Sequence, residues 1–258
     1  MSDNQGDWLG TSKLHHVVKG RFHGYPASLP WHENYDGRDP LELPIKELEE
    51  LRTSAAVWFT QGTMANSPTQ PILIPEGFGP FTGQMLIGEM NRARIIRLMT
   101  EKVNGLMQGA CTPFIDGGGL PPGVNRLAFG PDNSLWTGHT HLTWAGGQGM
   151  ANIKFSGNEK VQDVLTLKIT KDGFKATFVE PVEDLGEVKL KRYTFAYHSK
   201  YGSPELEKAD VKFETEKISD TEYQFKLSEP LKRDFCYQFE FPTAQNSMVC
   251  YTVREVPE

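Results

Sequence analysis

The sequence is short of cysteine, has no long apolar run, has no stretch dense in lysine and arginine, and shows little helical periodicity. Each shortage excludes something. The three cysteines of the 258 residues, Cys111, Cys236 and Cys250, match no metal-ligand spacing, and there is no C-x-x-C-H haem attachment. Cys236 and Cys250 could pair across neighbouring strands. One pair plus a leftover is a poor disulfide framework, so free buried thiols are the expectation. Apolar runs extend for only a few residues, too few for a membrane-spanning helix. A net charge of −6 without a basic cluster argues against nucleic acid. The opening MSDNQGDWLG lacks a basic region followed by an apolar stretch, so it does not read as a secretory signal.

What is present is globular. Hydrophobic residues make up 38% and charged residues 23%, in a chain long enough for one large domain or two smaller ones. Residues 1–40 are rich in glycine and proline turns, with strand-like pieces such as KLHHVV between them. Pro44 to Arg52 predicts a short acidic helix with Leu48 and Leu51 on one side, most simply a solvated insertion.

From residue 78 the pattern becomes strand-like. GQMLIGEM and ARIIRLMTE are joined by a tight polar turn, then come NRLAFGPDNSLWTG and GMANIKFSG. This strand, turn, strand, glycine unit recurs at about the ~40–50-residue spacing of a propeller blade. After residue 157 glycine thins out, and seven strand-length pieces alternate aromatic or aliphatic residues with charges, from VLTLKIT to SMVCYTVRE. That pattern predicts an antiparallel β-sandwich. The expected boundary lies at residues 156–160, dividing the chain into 1–156 and 157–258.

The polar turn carries Asn91, Arg92 and Arg94. Two arginines at i and i+2 share one face, and each can grip a carboxylate through parallel hydrogen bonds. They are either solvated turn charges or they face an anion. His15 and His16 point to opposite sides of a strand, and with His23 and His32 they match no zinc pattern, so they read as surface or packing residues. His139 and His141 share a strand face and could bind one metal. Trp144 follows them among glycines, where an indole face suits a sugar. Tyr193, Phe195, Tyr197 and Tyr201 could form a glycan platform, although such residues are more often core and strand-pair residues.

Three stretches resemble the glucose/sorbosone dehydrogenase family, quinoprotein sugar dehydrogenases that use PQQ and are built as six-bladed propellers. They are DNQGDWLGTSKLHHVVKGRFHGYPAS, FTGQMLIGEMNRARIIRL and GVNRLAFGPDNSLWTGHTH. YHSKYGSPE, Tyr197 to Glu205, is similar to a motif in the immunoglobulin-like domain of a bacterial "membrane-bound dehydrogenase" subgroup. The resemblance implies an all-β chain, with a partial β-propeller over 1–156 followed by an immunoglobulin-like β-sandwich. It implies PQQ held by Arg92 and Arg94 with Asn91 and Gln5, Ca²⁺ held by Asp3, Asn4 and Asp7, and a sugar substrate against Trp144. It also implies a periplasmic or extracellular location.

The sequence departs from the family in two ways. DNQGDW stands where the dehydrogenases have a Gly-Pro pair and an acidic run. A full ring needs roughly twice the residues available before position 157, and the family's histidine base is absent with the first blades. The expectation is a fragment or subunit, inactive without the missing blades, which a partner chain or a second copy would supply. The alternative is a non-catalytic carbohydrate- or protein-binding surface module.

Overall fold

Apolar residues at alternate positions decide most of the strands, and the faces they mark decide how the sheets stack. The computed structural model describes residues 1–142, 145–157 and 160–258. In chain order the strands are β1 (Ser2–Asp3), β2 (Ser12–Leu14), β3 (Val57–Phe59), β4 (Ile72–Leu73), β5 (Met85–Glu89), β6 (Arg94–Val103), β7 (Leu106–Asp116), β8 (Val124–Phe129), β9 (Leu135–Leu142) and β10 (Ala145–Ile153). They continue as β11 (Val164–Thr170), β12 (Gly173–Phe178), β13 (Lys189–Thr194), β14 (Leu206–Asp210), β15 (Phe213–Lys217), β16 (Glu222–Leu227), β17 (Phe235–Glu240) and β18 (Met248–Val253). The chain is all-β, as the alternation predicts, with several antiparallel sheets. Among the described residues the strands close neither a barrel nor a ring.

The first part of the chain forms three antiparallel meanders in sequence: β1-β2-β3, β4-β5-β6-β7 and β8-β9-β10. The β6–β7 turn has Asn104 at φ 46° and Gly105 at φ 85°, the two left-handed residues of a tight hairpin whose twist matches its strands. The three meanders stack face to face. Ile87, Ile96 and Leu98 pack with Leu14, Val57 and Phe59 of the first. Leu86 and Ile95, one residue out of phase, pack with Val124, Leu127 and Leu135 of the third. Gly88 allows this approach, since a Cβ there would lie 2.6 Å from the Val124 carbonyl oxygen.

The second meander is also half of a larger sheet, ordered β14-β13-β17-β18-β7-β6-β5-β4. Its seam is the β7–β18 pairing, Cys111 opposite Cys250, Ala110 opposite Tyr251 and Gly109 opposite Thr252. Strands from both sides of residues 156–160, the expected boundary, therefore share one sheet. A four-stranded sheet, β11-β12-β16-β15, packs on this sheet's C-terminal half. Between them Phe174 meets the rings of Tyr237, Phe239 and Tyr251.

Where the third meander and the four-stranded sheet meet on this face, the buried residue is a cation. Arg97 is fully buried, with its guanidinium 3.8 Å from the Phe81 ring centroid and 3.6 Å from the Asp163 carboxylate. It donates to Gln84 Oε1 at 2.7 Å and to the Val164 carbonyl at 2.6 Å. Burial lowers its pKa to about 10 and raises that of Asp163, so desolvation outweighs the attraction within the pair.

The expected helix forms as α1 (Ile45–Leu51), yet it is not merely a solvated insertion. Leu48 is fully buried with Trp8, Phe22, Leu29, Leu43 and Tyr197, whereas Leu51 is half exposed. The Tyr197 hydroxyl donates to the Gly24 carbonyl at 2.7 Å, fastening this turn-rich segment to the C-terminal half. No helix among the described residues is long and apolar enough to cross a membrane.

Candidate functional site

The loops of the first two meanders meet around a buried carboxylate. Glu89 ends β5 and is fully buried. Its Oε1 accepts the backbone N–H groups of Asn66 at 3.1 Å, Ser67 at 2.9 Å and Asn91 at 3.2 Å, and its Oε2 that of Arg92 at 2.6 Å. Loop 60–67 is thereby clamped to the turn that carries the arginines. A carboxylate suits the position because its two oxygens can accept all four of these N–H groups.

The two arginines reach the same loop by different means. Arg94 is 6% exposed, so its guanidinium must be paired. Its Nε and Nη2 grip Asp116, its register partner at the end of β7, and its Nη1 donates to the carbonyls of Thr63 at 2.6 Å and Met64 at 2.8 Å. Gly117 N–H then donates to the Ala93 carbonyl at 2.8 Å, bringing the glycine-rich segment after β7 to the same turn. Arg92 is half-buried, and its Nη2 donates to the Gly62 carbonyl. Arg94 thus uses most of its donors within the protein, whereas Arg92 makes one such side-chain contact and is partly exposed.

The N-terminal segment arrives at this loop too. Asn4 donates from Nδ2 to Ser67 Oγ at 3.0 Å, and the Gln5 backbone N–H donates to Ser12 Oγ at 3.0 Å. Gln5 Nε2 donates to the Gly10 carbonyl at 3.1 Å. The segment is held from the C-terminal half: Gly202 N–H donates to the Gly6 carbonyl and Ser203 N–H to that of Gly10. Glycine suits position 202, where φ is 64° and a Cβ would press on the Gln5 side chain.

Of the residues singled out from the sequence, Asn4, Asn91, Arg92 and Arg94 therefore gather about loop 60–67 and Glu89, whereas Gln5 reaches the loop only through Ser12, whose Oγ donates to the Asn66 carbonyl at 3.4 Å. Asp3 and Asp7 do not join them. The Asp3 carboxylate lies 3.6 Å from His15 Nε2, and Asp7 is exposed in a bridge with Tyr201. Asp3, Asn4 and Asp7 face different partners and do not fit a shared calcium site. Among the described residues no group of three or more His, Cys, Asp or Glu is placed to hold a metal ion. Trp144 lies outside the described residues. His139 is engaged, its Nδ1 donating to the Pro122 carbonyl at 3.0 Å and its Nε2 lying 2.7 Å from Thr137 Oγ1. His141 is exposed.

His15 proves to be deeply buried. Neither ring nitrogen has a hydrogen-bond partner, and the His23 ring stands edge-on at 5.2 Å. Burial chiefly, with Lys13 nearby, lowers its pKa despite Asp3. The folded state thus binds the proton less readily than the unfolded chain, and stability is lost as pH falls through the unfolded value near 6.5. Unfolding free energies from urea titrations should decline from pH 6.5 to 5.5, by at most about 1.4 kcal/mol per pH unit for this one proton. His15→Leu should flatten that decline.

Sequence reasoning missed Glu89, Asp116 and the whole of loop 60–67. One local signal existed for Glu89: an acid at the end of an apolar strand, two and three residues before the turn N–H groups that it caps. Asp116 and loop 60–67 have no such signal, because register and long-range packing bring them to the site.

No family model matches the chain, and none of the curated proteins does. Among solved structures, the chain is similar to a "Novel fungal alcohol oxidase with catalytic diversity among the AA5 family, in complex with copper", at 9% identity and a TM-score of 0.23. The match covers 76% of this chain and 44% of that one, so the chain spans less than half that structure's length. A likeness of that size carries no argument about fold or function.

Proposed function

We propose that the chain is part of a propeller of the PQQ-dependent sugar dehydrogenase type, contributing blades and one cofactor-facing cation, and inactive until further blades complete it. The supporting observation is the stacking of three consecutive antiparallel meanders, with the loops of the first two gathered at one end about Glu89. Residues 1–156 are on this reading a run of blades and residues 157–258 an immunoglobulin-like sandwich, sharing strands at the β7–β18 seam. A second copy or a partner chain supplies the missing blades, and the compartment is periplasmic or extracellular. Arg92 is the residue that meets a carboxylate of PQQ. Arg94 and Glu89 are positioning residues that hold its turn. The base and the calcium ligands belong to the absent blades, so no reaction step is assigned to this chain.

The test is titration of the protein with PQQ and Ca²⁺, alone and with the upstream blades supplied, read by quinone absorbance. Arg92→Ala should weaken binding roughly tenfold or more, the loss of about 1.4 kcal/mol or more expected for one charge-assisted contact. Its unfolding midpoint should scarcely move. Arg94→Ala should instead lower the unfolding midpoint, because it leaves Asp116 and two carbonyls without their donor. Absence of PQQ binding even in the completed assembly would favour the second reading, a non-catalytic binding module.

A further inference from the structure

All three cysteines of the chain, far apart in sequence, come together on one face of the large sheet. They sit on three adjacent strands, Cys111 on β7, Cys250 on β18 and Cys236 on β17, and all are fully buried in the same core. Cys250 stands directly opposite Cys111. Cys236 stands opposite Thr252, one same-face step from Cys250. Cys111 Sγ donates to the Trp58 carbonyl at 3.4 Å, and the Tyr193 hydroxyl lies 4.0 Å from Cys250 Sγ.

Geometry separates the possible pairs. Directly opposed residues of an antiparallel pair have Cα atoms about 4.5–5.5 Å apart, whereas diagonal neighbours are about 7–8 Å apart. A disulfide needs roughly 4.4–6.8 Å between Cα atoms. As directly opposed residues, Cys111 and Cys250 fall within that range, whereas Cys236 and Cys250, diagonal neighbours and the pair that sequence alone suggests, fall outside it.

We infer that Cys111 and Cys250 are a disulfide-forming pair that covalently fastens the β7–β18 seam, leaving Cys236 as a free thiol. With oxidised glutathione as oxidant, a cysteine thiolate attacks its disulfide and expels one glutathione. The second cysteine then attacks the resulting mixed disulfide and expels the other. Two protein thiols lose two electrons and two protons, and oxidised glutathione becomes two molecules of glutathione. Since the thiols are buried in the folded chain, the exchange belongs to folding or to local opening of the three-residue seam.

The whole chain, unfolded and refolded in a buffer of reduced and oxidised glutathione, should retain one alkylatable thiol out of three, on Cys236. Non-reducing digestion and mass spectrometry should recover a peptide pair linking residues 111 and 250. The melting temperature should rise by several degrees over the reduced protein and return on reduction. Cys236→Ala should keep the link, and Cys111→Ala should abolish it. Three alkylatable thiols in a product with native circular dichroism, or a link through Cys236, would overturn the inference. Neither result depends on whether PQQ binds.

Discussion

Arg97→Ala is expected to destabilise the protein by about 3–5 kcal/mol, the range for removing one partner of a buried ion pair. The guanidinium lies between Asp163, the Val164 carbonyl, Gln84 Oε1 and the Phe81 ring, with no exposure to water. Alanine leaves the carboxylate without its cation, the carbonyl without one donor, and a cavity where a large side chain stood. Asp163→Asn should cost less, since the carboxylate also accepts from Val164 N–H at 2.8 Å and from Asn246 Nδ2 at 2.9 Å, and an amide oxygen can replace part of that. The double variant Arg97→Ala with Asp163→Asn should lose less than the sum of the two single changes, because it removes both charges from a site where burial disfavours each. Urea denaturation of the four proteins gives the coupling directly. Strict additivity would mean that the pair does not interact and would contradict the placement of Arg97.

Glu89→Ala should have the next largest effect, a loss of about 3 kcal/mol or more, since four backbone donors share one buried carboxylate and each orphaned donor costs roughly 1–3 kcal/mol before water relaxes in. The consequence is local as well as global. Amide exchange at Asn66, Ser67, Asn91 and Arg92 should accelerate well beyond that of the β6–β7 hairpin, because the clamp joins loop to turn while the strands keep their ladders. Glu89→Gln preserves volume but turns an NH₂ group toward N–H donors, so it should fall between alanine and the native protein. If the amides of residues 66 and 67 remain as protected in Glu89→Ala as before, the clamp does not hold the loop. Under the proposed function, the same variant should also weaken PQQ binding, although Glu89 itself touches no cofactor.

Much of this molecule is written in alternation. The apolar period along GQMLIGEM and ARIIRLMTE shows two strands, and the aromatic-charge alternation after residue 157 shows seven of the eight strands that follow, all but β14, whose LEKAD carries little apolar pattern. Leu86 and Ile87 serve two different cores because adjacent side chains on a strand face opposite ways, and that too is a local property. The turn carrying Asn91, Arg92 and Arg94 was equally legible, as was the short helix at 45–51.

Pairings between distant strands were not legible, because a strand's pattern specifies which face is buried and not which edge it joins. The β7–β18 seam draws strands from both sides of residue 156 into one sheet, and no feature of either strand alone announces the other. Register along that seam then selects Cys111 over Cys236 as the partner of Cys250. The same holds for charge: Arg92 and Arg94 look alike in sequence, yet Arg94 is held by Asp116 and two carbonyls of loop 60–67, while Arg92 is half-buried and meets that loop through the Gly62 carbonyl alone. Sequence determined the strands, their buried faces and the candidate cations. Tertiary structure decided which edges meet, which cations are already neutralised and which thiols stand opposite, because those depend on contacts whose two halves lie far apart along the chain.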